Sequence, residues 1–377
     1  MSSVLFWGAL VFIGYAYWGY PLVLAMLSLL KSRPVRTAPI TPPVTVIVTA
    51  FNEEARIQEK LENTLAVEYP AGQLQILVAS DCSTDRTDDI AAGYASRGVQ
   101  VARAPKRQGK EHAQQYALQF ATGEIIVFSD VATILQPDAI RTIVSNFADP
   151  SVGCVSSEDR FIDPDGTISG EGAYVRYEMF LRALESRVNT LVGLSGSFFA
   201  ARREVCANWA PDLQSDFNTL LNAVRLGLRG ISDPRTVGYY KNIADERREY
   251  ERKVRTVLRG ISVFMHSMPL INPFRYGLFA WQLVSHKLCR WLVPFAMILL
   301  LVGNLLLLGE SPFYQAVLAG QGLFYGMALA GIVFRHLSRS TLMKLPSFFV
   351  LVNLSILNAW VRYVRGQRIV LWEPSKR

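Results

Sequence analysis

The first thirty residues hold no charged side chain, and of all 377 residues only 19% are Asp, Glu, Lys or Arg. A typical soluble chain carries ~25%. Half of the residues are apolar and the mean hydropathy is +0.20, which excludes disorder, a collagen-like repeat and a small disulfide scaffold. Cysteine is scarce: Cys82, Cys154, Cys206 and Cys289 lie too far apart in sequence for a zinc site or a disulfide framework. They read as free thiols in a reducing compartment. No phosphate-binding loop of the P-loop type occurs, since Gly109-Lys110 is followed by neither Ser nor Thr. Acidic charge is in deficit, with 31 Asp+Glu against 39 Lys+Arg and a net charge of +8. Such a balance fits nucleic acid, an anionic membrane face or phosphorylated substrates. The basic residues cluster at the borders of apolar stretches, which accounts for them without nucleic acid.

What is abundant is apolar sequence in long runs. Val4–Leu30 exceeds the ~20 residues that span a bilayer and is too long for the core of a signal peptide. Lys31, Arg33 and Arg36 follow it, so its C-terminal end is expected in the cytoplasm. Trp291–Gly309 and Ser311–Phe334 are also free of charge, with Lys287 and Arg290 before them and Arg335 and Arg339 after. They read as a hairpin of two spans with its tip outside. Leu345–Val361 contains Pro346, Asn353, Ser355 and Asn358. A span there would carry Arg362, Arg365 and Arg368 outward, so an interfacial or re-entrant helix is preferred to a fourth span. Residues 246–288 mix basic residues with Phe264, Met265, Met268, Phe274, Phe279 and Trp281, as an amphipathic collar at the headgroups would. The domain reading is a membrane helix at 1–33, a soluble α/β domain at 40–245, interfacial helices at 246–288, two spans at 289–336, and the ambiguous helix with a basic tail at 342–377.

The soluble part opens on a Pro-rich linker, Pro34–Pro43. Short β-branched runs at 44–48, 74–79, 99–102 and 124–129 then alternate with helical stretches near 53–67, 84–96 and 109–121. That alternation predicts a mostly parallel sheet covered by helices. Ligands of such sheets bind beyond the carboxyl ends of the strands. Glu53, Asp81 and Asp130 follow three of the runs and are expected to project from one edge. Three carboxylates there suit ribose hydroxyls, a cation or both, although any one of them could simply cap a helix.

The strings PPVTVIVTAFNEE, LQILVASDCSTDRTDDI and KRQGKEHAQQYALQFATGEIIVFSD resemble the nucleotide-sugar half of a family-2 glycosyltransferase. GLSGSFFAARRE at 193–204, SDF at 215–217, RKVRT at 252–256 and the closing VRGQRIVLWEP extend the resemblance, in order, to membrane-embedded polysaccharide synthases. The resemblance implies a GT-A fold, a Rossmann-like nucleotide half joined to an acceptor half. It implies an inverting transferase that takes a nucleoside-diphosphate sugar, a UDP-sugar in the first instance. The acceptor would be a polysaccharide or lipid-linked sugar at the membrane, or a glycolipid built on ceramide, diacylglycerol or polyprenyl phosphate. A non-catalytic nucleotide-sugar-binding protein is the third reading.

Within that resemblance Asp216 matches the general base, with Ser215 where a second acid often stands. Arg255 matches the arginine that contacts the diphosphate, and Arg252 and Lys253 add positive potential. Glu53, Asp81, Lys110 and Asp130 are carried over as nucleotide-sugar contacts. Thr256 replaces a family tryptophan associated with processive synthases. Ala132 replaces the second metal ligand of the Asp-x-Asp element, leaving Asp130 with the donor phosphates, and Thr133 beside it. A divalent cation, Mg²⁺ or Mn²⁺, is therefore expected to be held loosely and mostly through the substrate, unless Glu158 or Asp159 supplies a ligand. Nucleotide sugar, membrane lipid and a glycan or glycolipid acceptor are the expected partners. A dimer or partner subunit would be needed for export, because three spans are few for a polymer pore. The expected location is the cell membrane, with the catalytic domain in the cytosol.

Overall fold

A computed structural model of the chain describes residues 1–162, 173–241, 246–334 and 340–369. Arg335, Arg339, Lys376, Arg377 and the end of the VRGQRIVLWEP string lie outside the described residues. The chain divides into two compact units: Met26–Ala244 with Met265–Arg275 and Ile369–Arg377, and Met1–Ala25 with Asp245–Phe264 and Tyr276–Arg368.

The first unit is built on an eight-stranded sheet. In chain order the strands are β1 (Val44–Ala50), β2 (Leu74–Ser80), β3 (Val99–Arg103), β4 (Ile125–Asp130), β5 (Ile134–Leu135), β6 (Val152–Ile162), β7 (Phe198–Arg202) and β8 (Arg229–Lys241). Their spatial order is β3-β2-β1-β4-β7-β6-β8-β5. The first four pair in parallel, as the alternation with helices requires. Every residue of β1 is buried, as expected of a central parallel strand covered on both faces. Val44, Val46 and Val48 join one apolar core with Ile57 and Leu61. Ile47 joins the other with Leu77, Phe128 and Phe199, following the two-residue period of a strand. The second half departs from the parallel pattern. β7 runs antiparallel to β4 and β6, with Ser129 opposite Phe198. This reversal brings the segment that enters β7 to the carboxyl end of β4.

Helices long and apolar enough to cross a membrane are Ser2–Leu30, Leu278–Leu306, Pro312–Val333 and Leu342–Val364, all in the second unit except for residues 26–30. Phe6 packs edge-on against Tyr314 and closely over Gly303. Tyr15 and Ser285 share a 2.7 Å hydrogen bond where each helix widens into a π-turn. Several polar groups of the last helix bond within it or to a neighbouring helix, whereas Asn353 Oδ1 is buried without a partner among the described residues. Ser347 donates to Met343 O and Ala328 O, Asn353 to Phe349 O and Ser355 to Val352 O. These bonds reduce the cost of an apolar environment.

Contacts also place this helix within its unit. Phe349 meets Tyr17, and Tyr17 lies against Arg290. Trp360 meets Phe295 and donates to Trp291 O. The last helix also runs along the Pro312–Val333 helix, with Phe349 against Phe324 and Ser347 bonded to Ala328 O. The amphipathic helix Glu246–His266 runs beside it, with Lys253 over the Phe348 ring at 4.5 Å and Tyr250 bonded to Asn358.

Candidate active site

The carboxyl ends of β1, β2 and β4 share one edge because the register aligns them. Ala50 pairs with Ser80, Thr49 pairs with Asp130, and the Asp81 N–H donates to Ala50 O. Glu53, Asp81 and Asp130 thus emerge together, each with different surroundings.

Asp81 is fully buried. Its carboxylate accepts from the backbone N–H groups of Gln108 (2.9 Å) and Gly109 (3.0 Å). Burial pushes its pKa up, while these amides and Arg107 pull it down. Gly109 has φ +106°, a region open to glycine and closed to most side chains. It is the N-cap of the helix Lys110–Leu118. Asp81 therefore fixes the start of the helix that presents Lys110. Glu53 is 3% exposed, and both of its oxygens accept from Arg56 at 2.7 Å. Burial raises its pKa, opposed by Arg56. The turns after β1 and β2 are tied together through Asn52, which accepts from Thr84 N–H. Asn52 and Cys82 both sit at positive φ, 52° and 57°, a strain that clusters at functional sites.

Asp130 faces an ammonium. Lys110 Nζ lies 2.6 Å from Asp130 Oδ1 and 2.7 Å from Gly196 O. The lysine side chain is 8% exposed and the aspartate 24%. A second ammonium lies under the same turn: Lys60 donates to Ser129 Oγ and Thr133 O, both at 2.7 Å. Burial lowers the Lys60 pKa to about 7 against the pull of Asp130.

Ser195-Gly196-Ser197 is the junction of the site. The Asp130 N–H and Thr133 Oγ1 donate to Ser197 O. Ser195 Oγ and Ser197 Oγ donate to Asp159 Oδ1 at 2.7 and 3.0 Å, and burial raises the Asp159 pKa. A Cβ on Gly196 would lie 2.7 Å from Asp216 Oδ2. One glycine thus has the Lys110 ammonium on its carbonyl and the Asp216 carboxylate against its α-carbon.

Asp216 is 8% exposed and is the second residue of the helix Ser215–Arg225, whose N-cap is Gln214. It is not itself the capping residue. Its carboxylate accepts from Phe217 N–H at 2.8 Å and Gln214 Nε2 at 3.1 Å, in a first turn that favours negative charge. Glu111, next to Lys110, accepts from the Ser215 N–H at 3.4 Å. One helix start therefore reaches both Asp130 and the SDF motif.

Lys60, Glu111 and the two serines of the junction were not singled out from the sequence. Lys60 and Glu111 look like ordinary helix-surface charges, and only Gly between two serines hinted at a close approach. Arg252 and Arg255 lie on the helix Glu246–His266, in the other unit. Thr256 Oγ1 is turned back to Arg252 O on that helix.

The donor set does not make a protein-held metal site. Asp130 is paired with Lys110, Ala132 has no donor atom, Glu53 is paired with Arg56, and Asp159 accepts from two hydroxyls. Among the described residues no three His, Cys, Asp or Glu side chains are grouped to hold an ion.

Comparison with known proteins extends this picture. The family model described as "Glycosyl transferase family 2" matches residues 45–209. The chain is 27% identical over 184 residues to a beta-monoglucosyldiacylglycerol synthase of Nostoc sp., covering 46% of this chain and 39% of the relative. The matched part thus spans about two fifths of that relative's length. An N-acetylglucosaminyltransferase of Bradyrhizobium elkanii is 30% identical over 122 residues, covering 32% of this chain and 67% of the relative. A mannosyltransferase from Pyrobaculum calidifontis, solved with GDP-Man and Mn²⁺, superposes with a TM-score of 0.73 at 24% identity. That match covers 98% of this chain and 100% of the neighbour, and it establishes the GT-A fold expected from the sequence.

Proposed function

The chain belongs to glycosyl transferase family 2, and from that premise we propose that it is an inverting, membrane-embedded transferase. It moves a sugar from a nucleoside-diphosphate donor to a lipid-linked acceptor. The observation that carries the reading is the junction at Gly196, where a largely buried acid–ammonium pair and a second carboxylate meet on one residue. Transfer needs both kinds of group. A carboxylate must take the acceptor hydroxyl's proton as its oxygen attacks the anomeric carbon. Cations must meet the charge that collects on the diphosphate as the C1–O bond breaks.

In this reading Asp216 is the base and receives the proton. Lys110 meets the departing diphosphate. Asp81 holds the helix start that carries Lys110, Asp130 positions its ammonium, and Glu53 braces the turn after β1. Arg255 and Arg252 are assigned to the diphosphate on the family resemblance. The metal is assigned no protein site, and the chain's own cations carry the neutralisation.

A lipid-linked acceptor is favoured over a long polymer by two features. Thr256 stands where the polymerising synthases have tryptophan, and its hydroxyl is engaged with its own helix. The glucosyldiacylglycerol synthase relative points the same way. Lys31, Arg33 and Arg36 support a cytosolic catalytic unit. Arg362, Arg365 and Arg368 at the end of the last apolar helix support three spans with a fourth helix in the interface.

The test is product analysis. Purified protein receives a panel of UDP- and GDP-sugars with membrane lipid extract, and products are read by mass. A lipid gaining one hexose or N-acetylhexosamine is the expected result. Long glycan chains would overturn the single-addition reading, and no product with any donor would overturn the assignment.

A further inference from the structure

We propose that Lys110 is the resident counter-ion of Asp130, and that in the substrate-free chain its ammonium occupies the place a divalent cation would take, so that lysine and metal compete for one carboxylate. The inference rests on the donor-site reading above, because it explains how that site manages without a second acidic ligand.

Three observations carry it. The first is geometric: Nζ sits 2.6 Å from Asp130 Oδ1 and 2.7 Å from Gly196 O. A hard cation on the same oxygen would stand ~2.0–2.2 Å from it, within the volume the ammonium fills. The second is chemical. Ala132 offers nothing, and Glu53 and Asp159 already accept from Arg56 and from the serines of the junction. An incoming ion would gain one carboxylate oxygen and lose it again to the lysine. The third is that the lysine is built into position. It is the first residue of its helix, the preceding Gly109 is tied to buried Asp81, and its side chain is almost wholly enclosed. Lys60 adds a second enclosed ammonium beneath the same turn. The arrangement is a cation site whose cation is part of the chain. An arriving diphosphate offers Lys110 a more highly charged partner than Asp130, so the ammonium needs only to change partners.

The experiment is a titration of the full chain, in detergent and without nucleotide, with Mn²⁺ read by electron paramagnetic resonance of the free ion. Wild type is expected to bind weakly. Lys110→Gln should bind at least ~10-fold more tightly, about 1.4 kcal/mol. Lys110→Arg, which keeps a cation there, should stay at the wild-type level, and adding Asp130→Asn to Lys110→Gln should abolish the gain. Lys110→Met retains the apolar stem and serves if the glutamine variant fails to fold. Tight stoichiometric binding by wild type would overturn the proposal. So would an unchanged affinity in both neutral variants, or a gain that survives the loss of Asp130. No sugar enters this titration, so its failure is distinct from failure of the transferase reading, which the donor panel decides.

Discussion

Replacing Gly196 by alanine tests the site at its tightest point. The added methyl would lie 2.7 Å from Asp216 Oδ2, about 0.7 Å inside ordinary van der Waals contact. Gly196 itself is anchored, since its carbonyl accepts from Lys110 and Ser195 and Ser197 on either side hold Asp159. The Asp216 carboxylate accepts from Phe217 N–H and Gln214 Nε2. A side-chain terminus shifts more readily than an anchored backbone, so the carboxylate is the partner expected to move, by roughly half an ångström or more. Overpacking of this size costs ~1–3 kcal/mol of stability. Its effect on transfer should exceed its effect on folding, because a base must stay within ~2.6–3.2 Å of the proton it takes. Displacements near 1 Å cost ~10²-fold in rate. The expected result is a ~10–100-fold fall in kcat with donor KM changed by less than about threefold. In an Asp216→Asn background the same substitution should cost little more, because the group it displaces is already inactive. Steady-state kinetics on wild type and the three variants, with thermal melts as a folding control, provide the assay. Turnover within twofold of wild type in folded Gly196→Ala would refute the reasoning, and so would an equal loss in the Asn background.

Asp216→Asn alone should leave donor binding near normal and reduce transfer by ~10²–10⁴-fold; near-normal turnover would remove the base from Asp216. Lys60 has a folded pKa of about 7, far below its ordinary value of 10.5, so between these values the unfolded chain binds more protons and stability rises with pH. Urea unfolding followed at pH 6.5, 8 and 9.5 should show that rise in wild type and a flatter profile in Lys60→Met, and parallel profiles would contradict it. A cysteine placed at Gly366, in an otherwise cysteine-free chain in intact cells, should react only with reagents that reach the cytosol; labelling from outside would make Leu342–Val364 a true span.

The nucleotide half was readable because its signals are local. Four β-branched runs separated by helical stretches specify a parallel sheet, and in such a sheet the residues after the strands must share an edge. Asp81 and Asp130 could therefore be placed from sequence, as could Asp216 by resemblance. What each carboxylate does there was not readable, because its partner comes from far along the chain. Asp130 meets Lys110 through packing of a helix on the sheet, and Lys110 meets Gly196 across 86 positions. That contact exists because β7 reverses direction beside β4, and no local pattern announced the reversal. Lys60 shows the same limit from the other side: in the sequence it is one charge in a polar stretch, and only the closure of the sheet over its helix buries it. The last helix behaves likewise. Its composition settles that it is long and apolar, but its packing depends on which residues of its neighbours Phe349 and Trp360 reach. Strand and helix periods are written in consecutive residues, whereas partner choice, burial and direction are set by the whole chain folding at once.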